Sequence, residues 1–438
     1  MTADAKSNHH VLVLGATGLI GSAITAHLVQ SGLLVTAVAR RDGPDIRKLG
    51  SDRTLFLDLR TIKRAEDWEP HLHGVHAVIN CAGVMQSGGR DSTVAVHQTA
   101  PAMLFAACEG AGVRRIIHFS AMGVNEGALS DFSKTKASAE HALKQSALDW
   151  VILRPSVVVG RAAYGGSALF RGLAALPWET RVDDAGRISV VQLDDVVETA
   201  VYFLQEGVSG RVELDLAGPE AFCFEEVVAR YRNWLGWKPA RKVRLPRAFM
   251  ALTYGLGNIA GRLGWRPPVR STVRHEMARG AVGSPAAWTE FTGIVPQSLD
   301  EALRREPASV QERWFARLFL LKPVVIGVFA FFWLITGVVS LGRGYDIGVA
   351  MMLEGGAGAW SGSVVIAGGL ADFAIGAGSL WRPTAKYALW AALGLTLFYV
   401  LAGSAILPRL WDDPLGPMMK VWPIIALNLV ALAILDER

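Results

Sequence analysis

Four apolar residues, Val11 to Leu14, run directly into a loop with glycines three apart, Gly15-Ala16-Thr17-Gly18-Leu19-Ile20-Gly21. An apolar helical pattern follows at once (Leu19, Ile20, Ala23, Ile24, Leu28). A buried strand turning sharply into a helix is what this pattern admits. Gly15 permits the tight turn, Gly18 lets a ligand approach the backbone, and Gly21 lets the helix pack closely on the strand. Free N–H groups and the positive dipole end of the helix then face outward, a cradle suited to a dinucleotide pyrophosphate. The contacts expected are Gly15, Thr17, Gly18, Leu19, Ile20 and Gly21.

Further along, short apolar runs alternate with helical patterns. Leu34–Ala39, Thr54–Leu57, Ala77–Asn80, Arg115–Phe119 and Trp150–Leu153 read as strands, and Thr93–Gly110 and Lys134–Ser146 as helices. That alternation predicts an α/β fold, a parallel sheet covered on both faces. From Arg161 the order loosens into Gly- and Pro-rich breaks, read as a small lobe closing over the C-terminal edge of the sheet. Asp194 and Asp195 stand before a helical run and are expected to cap it. Ser298–Leu321 reads as an amphipathic linker helix.

The chain has 438 residues, 51% of them hydrophobic, and a net charge of +5. Its apolar excess lies at the C-terminal end. Pro323–Gly342, Ser361–Trp381, Tyr387–Leu407 and Met418–Leu435 are stretches long enough, or nearly so, to cross a bilayer as helices. Asp372 is the ionisable residue deep in one of them, fitted either to a functional role or to a packing hydrogen bond. Basic residues cluster before the first stretch (Arg313, Arg317, Lys322) and between the second and third (Arg382, Lys386). The positive-inside bias therefore places the N-terminal part and both termini in the cytoplasm. The first ten residues are polar, so no secretory signal is expected there. Cys81, Cys108 and Cys223 lack metal or disulfide spacing, and no metal site is expected.

At the end of the second strand stand Arg40 and Arg41, where an NAD-specific site usually has a carboxylate for the ribose 2′-hydroxyl. A guanidinium grips a 2′-phosphate, so NADP(H) is preferred over NAD(H). The other reading leaves the arginines solvated at a strand end.

Together these residues resemble the extended and atypical short-chain dehydrogenase/reductase superfamily, closest to the branch that includes an accessory subunit of respiratory complex I. The resemblance rests on the glycine loop, Asp58-Leu59, Asn80-Cys81-Ala82-Gly83, Phe119-Ser120-Ala121, Lys136, Leu153-Arg154-Pro155-Ser156-Val157 and Val191–Val196. The apolar C-terminal part looks like a DoxX-like domain. The resemblance implies a Rossmann-type doubly wound sheet, with Asp58 and Leu59 near the adenine, Cys81, Ala82 and Gly83 along the ribose, and Pro155 and Val157 at the nicotinamide. It also implies a catalytic Ser, Tyr and Lys. Ser120 and Lys136 are present, but Phe132 stands four residues before the lysine, where the family has its tyrosine. Phenylalanine has no proton to give. Either another donor serves (Lys136, Ser130, Ser133 or Tyr164), or the chemistry needs no acid there, or the domain binds dinucleotide without turnover. Lys136 could also form an ordinary helical pair with Glu140.

The expected organisation is a Rossmann core over 1–160, a substrate lobe over 161–305 sharing the last strands, an amphipathic linker over 306–322 and a four-helix transmembrane domain over 323–438. The expected function is a membrane-anchored NAD(P)H-dependent oxidoreductase acting on a lipophilic or quinone-like substrate in a bacterial-type inner membrane. The alternative is a non-catalytic NADP(H)-binding subunit of a membrane redox complex. Expected partners are the lipid bilayer and a quinone or membrane redox protein, with no nucleic acid.

Overall fold

A strand as uniformly apolar as Val11–Leu14 is stable only with both faces covered, and it lies inside a sheet. In the computed structural model, which describes residues 7–88, 91–125, 130–181, 185–244, 246–414 and 416–436, that strand is β1 (Ser7–Leu14). It is followed by helix α1 (Leu19–Gln30), β2 (Leu33–Ala39), β3 (Arg53–Phe56), β4 (Ala77–Asn80), β5 (Arg115–Phe119) and β6 (Asp149–Pro155). The sheet has seven parallel strands in the order Val212–Leu216, β6, β5, β4, β1, β2, β3. Alternation along β1 divides the core. Val11 and Val13 pack with Ile24 and Leu28 of α1 on one face. Leu12 and Leu14 pack with Leu104 and Phe105 on the other.

The chain leaves β1 for β2 on one side and returns to β4 on the other, so the loops after β1 and β4 diverge at a topological switch point, where open α/β sheets bind ligands. The seventh strand, Val212–Leu216, carries no long apolar run, and its residues were not singled out in the sequence. Small sheets formed by Val157–Val159 with Ile188–Gln192, and by Trp178–Arg181 with Arg241–Arg244, build the lobe.

Several expectations need correction. The lysine helix is Asp131–Lys144, not Lys134–Ser146, because the Ser130 hydroxyl accepts the Ser133 N–H and caps it earlier. Thr93–Gly110 is not uniformly α-helical: Val94–Thr99 is a π-helical turn ahead of Ala100–Ala111. Asp194 and Asp195 do not cap a helix. They lie inside the first turn of Leu193–Tyr202, and Asp195 Oδ2 accepts the Gln297 N–H at 2.9 Å. Burial raises that carboxyl to about 6.

The chain forms two compact units, Met1–Asn258 with Pro268–Ala316, and Ile259–Pro267 with Arg317–Arg438. The expected linker over 298–321 is not one element. Ser298 caps a short helix, Leu299–Arg305, and a new helix then runs unbroken from Val310 to Leu341, through Pro323. Among the described residues three helices are long and apolar enough to cross a membrane: Val310–Leu341, Gly358–Leu380 and Arg382–Ile406. The fourth expected span is shorter than its apolar run, because 417–420 form a turn and the helix covers only Val421–Ile434. At 1.5 Å per residue, that helix falls short of a hydrocarbon core about 30 Å thick. Small residues allow close packing in this unit: a Cβ on Gly376 would strike Leu334 and the Ala330 carbonyl. Asp372 is buried and accepts a hydrogen bond from Tyr399 Oη at 3.0 Å, tying one long helix to the next.

Candidate cofactor and active site

The loop after β1 is built for close approach. Gly15 has φ +73°, and a Cβ there would lie 2.9 Å from the Ala82 backbone. A Cβ on Gly21 would run into the Gly15 carbonyl, so the turn and α1 interlock only as glycines. Gly18 caps α1 with no side-chain hydrogen bond, leaving the first-turn N–H groups of Leu19 and Ile20 to face an anion. Thr17 lies within the same turn. The glycine cradle and the open helix end thus fit a pyrophosphate.

Beside this cradle runs the loop after β4. The buried amide of Asn80 shapes it, accepting the Ala82 N–H at 3.1 Å and pairing with His118 Nδ1 at 3.1 Å. Cys81 lies in this loop, and burial pushes its thiol up, so it stays protonated. Gly83 faces Lys136: a Cβ there would sit 3.8 Å from Lys136 Nζ and 3.7 Å from His97 Nε2. The loops after β1 and β4 and Lys136 therefore form one site.

Lys136 is buried, and its Nζ donates to the Phe119 carbonyl at 2.6 Å. Burial lowers its ammonium to about 8. The expected alternative, a helical pair with Glu140, is not made. Glu140 instead takes a bidentate grip on Arg154, at 2.9 and 2.6 Å. Ser120 follows Phe119, is itself buried, and its hydroxyl has no hydrogen-bond partner among the described residues. A buried hydroxyl left unmatched beside a lysine is an uncommon cost, and such groups commonly await a ligand.

Phe132 packs edge-on against His97, with centroids 5.4 Å apart. His97 offers no replacement acid. Its Nε2 accepts the Val84 N–H at 3.0 Å and its Nδ1 pairs with Thr135 Oγ1 at 3.0 Å. Burial and the nearby Lys136 lower the imidazole to about 2, so it stays neutral. Two other expected donors are also committed. Ser130 and Ser133 both donate to Glu276 Oε1, and Arg279 donates to Ser133 Oγ at 2.9 Å and to the Met122 carbonyl at 3.0 Å. Tyr164 stands at the start of helix Gly165–Ala174. Glu276 and Arg279 belong to helix Ser271–Arg279, and the sequence reading missed them because nothing in their local spacing links them to residues more than 140 positions away.

At the other end of the cradle, Arg40 forms an ion pair with Asp91 at 3.0 Å, while Arg41 is exposed. Asp58 is held by Arg60 at 2.6 Å, which keeps its carboxyl below the usual range. Leu59 packs at the edge of the core, Pro155 ends β6, and Val157 opens the first strand of the lobe.

Residues 15–174 match the NAD(P)H-binding family and residues 330–429 the DoxX-like family. The chain thus joins a region similar to the NAD(P)H-binding family to one similar to the DoxX-like family. Ceramide reductase of Caulobacter vibrioides is 24% identical over 56% of the chain and 76% of that relative. Sterol demethylase protein B of Methylococcus capsulatus is 27% identical over 45% of the chain and 67% of its own length. The Arabidopsis thaliana mitochondrial NADH dehydrogenase [ubiquinone] 1 alpha subcomplex subunit 9 is 25% identical over 54% of the chain and 63% of its own. Among solved structures, UDP-glucuronic acid 4-epimerase from Bacillus cereus, bound to NAD, superposes with a TM-score of 0.52 over 71% of the chain and 99% of its own, at 19% identity. That likeness concerns the fold alone.

Proposed function

We propose that this protein is a membrane-anchored oxidoreductase that uses NADPH to reduce a carbonyl or quinone-like group on a lipophilic substrate. The observation that carries the reading is the unpartnered, buried Ser120 hydroxyl next to the carbonyl held by Lys136. The residues of the cradle fit the cofactor, which when bound supplies hydride. Ser120 is placed to hydrogen-bond a substrate oxygen, and Lys136 keeps positive charge beside the site. With Phe132 unable to donate, the lysine ammonium is the group whose proton can leave near neutral pH. Two relatives with lipid names, a ceramide reductase and a sterol demethylase protein, support a lipophilic substrate. The apolar helices and their flanking basic residues support a multi-pass protein of a bacterial-type inner membrane, with the soluble unit and both termini cytoplasmic.

The test is NADPH consumption by inverted membrane vesicles, whose cytoplasmic face is outside, over a panel of ceramide-like ketones, sterol ketones and quinones. The expected result is turnover in inverted but not right-side-out vesicles, lost in Lys136→Met. With Lys136 as the acid, turnover falls as pH rises through about 8, because the proton is then gone. Turnover unchanged in Lys136→Met would sink the reading.

The preference for NADP(H) belongs to the same proposal. Arg40 and Arg41 are placed to take a 2′-phosphate, with Arg40 released from Asp91. Replacing both with serine is expected to weaken NADPH binding by about 1–3 kcal/mol, the loss of charge-assisted hydrogen bonds, and to leave NADH nearly unchanged. Equal losses for both cofactors in calorimetry would count against it.

A second reading has its own support. Phe132 packed on a neutral His97, together with the likeness to the Arabidopsis NADH dehydrogenase subunit, favours a dinucleotide-binding subunit without turnover.

A further inference from the structure

Helix Arg247–Arg262 leaves an apolar stripe uncovered. Phe249, Leu252, Leu256 and Ile259 recur at spacings of three and four and are 48%, 57%, 57% and 53% exposed. The opposite face is packed. A Cβ on Gly257 would strike the Val269 carbonyl, and Asn258 Oδ1 accepts the Ser271 N–H at 3.2 Å. The stripe is therefore the outer face of a helix seated firmly on its inner one.

The charge around it has one sign. From residue 238 to 275 the chain carries nine Lys or Arg and no Asp or Glu. Arg241, Lys242 and Arg244 form an exposed strand just ahead of the helix. A protein partner for a face of this kind would be acidic and apolar at once. A bilayer with anionic headgroups has both properties by construction.

The end of the helix belongs with the long apolar helices. Ile259–Pro267 belong to the same compact unit as the long apolar helices. The Leu263 carbonyl accepts the Arg382 N–H at 2.9 Å, and Trp265 Nε1 donates to the Leu380 carbonyl at 2.6 Å. Leu380 ends one long apolar helix and Arg382 begins the next, so the segment following the stripe is held at a turn between two spans. Trp381, in that turn, is exposed, as an interfacial tryptophan is.

We propose that Arg247–Arg262 is an interfacial helix, its Phe249–Ile259 stripe sunk into the headgroup layer and the flanking cations resting on anionic lipid. The next helix, Ser271–Arg279, brings Glu276 and Arg279 to the start of the lysine helix. The chain thus runs from the stripe through residues 263–270 and one short helix to the start of the lysine helix. The proposal deepens the functional reading and rests on the long apolar helices lying in a bilayer.

The test places an environment-sensitive fluorophore on the full-length protein in nanodiscs, with Cys81, Cys108 and Cys223 replaced by serine. Labelled positions are Leu252→Cys, Leu256→Cys, Glu198→Cys as an exposed control outside the helix, and Phe331→Cys as a control on a span. The quenchers are doxyl-labelled lipid and aqueous iodide, in discs of phosphatidylcholine alone or with phosphatidylglycerol. In anionic discs, lipid quenching at 252 and 256 is expected to exceed that at 198 by roughly twofold or more, and to weaken in neutral discs or high salt. Lipid quenching at 252 and 256 no stronger than at 198, with 331 quenched, overturns the interfacial helix and leaves the spans standing. Loss of quenching at 331 as well overturns both. Shielding of 252 and 256 from both quenchers means a protein, such as a second copy, covers the stripe, and likewise overturns the proposal. Equal lipid quenching in neutral and anionic discs overturns the anionic-lipid assignment.

Discussion

Gly21→Val is expected to abolish measurable NADPH binding and to lower the melting temperature of the soluble unit. A side chain at this position has no room: its first carbon already collides with the Gly15 carbonyl, which is backbone and cannot swing aside. Overpacking of this kind costs about 1–3 kcal/mol, and the strain falls on the turn that cradles the phosphates. α1 must therefore shift off β1, which breaks both the hydrophobic contact of Ile24 and Leu28 and the alignment of the first-turn N–H groups. Gly110→Ala provides the comparison. It lies in helix Ala100–Ala111 with nothing within 4 Å of its Cβ, so it should keep NADPH affinity and gain a little helix stability. Fluorescence titration with NADPH and thermal unfolding of the two variants check this. Wild-type affinity in Gly21→Val would show that the dinucleotide does not use this cradle.

Phe132→Tyr is expected to raise carbonyl turnover by about 10²–10⁴-fold if the protein is a reductase lacking its family's acid. The change adds a phenol four residues before Lys136, at the spacing the resemblance gives for the catalytic tyrosine. A cation beside a phenol favours its ionised form, which suits it to proton transfer near neutral pH. The ring already packs edge-on against His97, so the substitution keeps that contact. In a binding subunit the same change leaves NADPH affinity intact and creates no turnover. Steady-state rates for wild type, Phe132→Tyr and Lys136→Met over aldehydes, ketones and quinones separate the two. Binding without turnover in wild type and Phe132→Tyr alike would leave the subunit reading alone.

What the sequence made legible follows from where the physics is local. The glycine loop was readable because Gly21 answers to Gly15 and Gly15 to its own φ, both local, even though the Ala82 backbone also crowds Gly15. The central strands were readable because burial on both faces demands unbroken apolar runs such as Ala77–Asn80. Val212–Leu216 escaped because an edge strand with Glu213 and Asp215 on its open side shows no such run. Long-range pairing hid the rest. Helical spacing offers Glu140 to Lys136 as one alternative, but Arg154, fourteen residues on, gives a planar two-point grip that a lysine cannot match. Likewise Ser130 and Ser133 could be named as donors, yet Glu276 and Arg279, which occupy them, come from a helix in the lobe. The length of the fourth apolar helix was not legible, because apolar composition cannot show that a turn uses the first residues of the run.

The neutral histidines behind the candidate site have a consequence for acid tolerance. His97 is held to about 2, and His118 lies well below its ordinary value, both through burial. Once unfolded, each ring takes up a proton near pH 6.5, whereas in the folded domain it does not. Below pH 6.5 the unfolded chain therefore binds more protons than the native one, and stability declines as pH falls, by up to about 1.4 kcal/mol per pH unit for each ring. Above pH 6.5 neither ring contributes to the slope. The packing that silences His97 as an acid thus makes mild acidification a means of opening this pocket by unfolding.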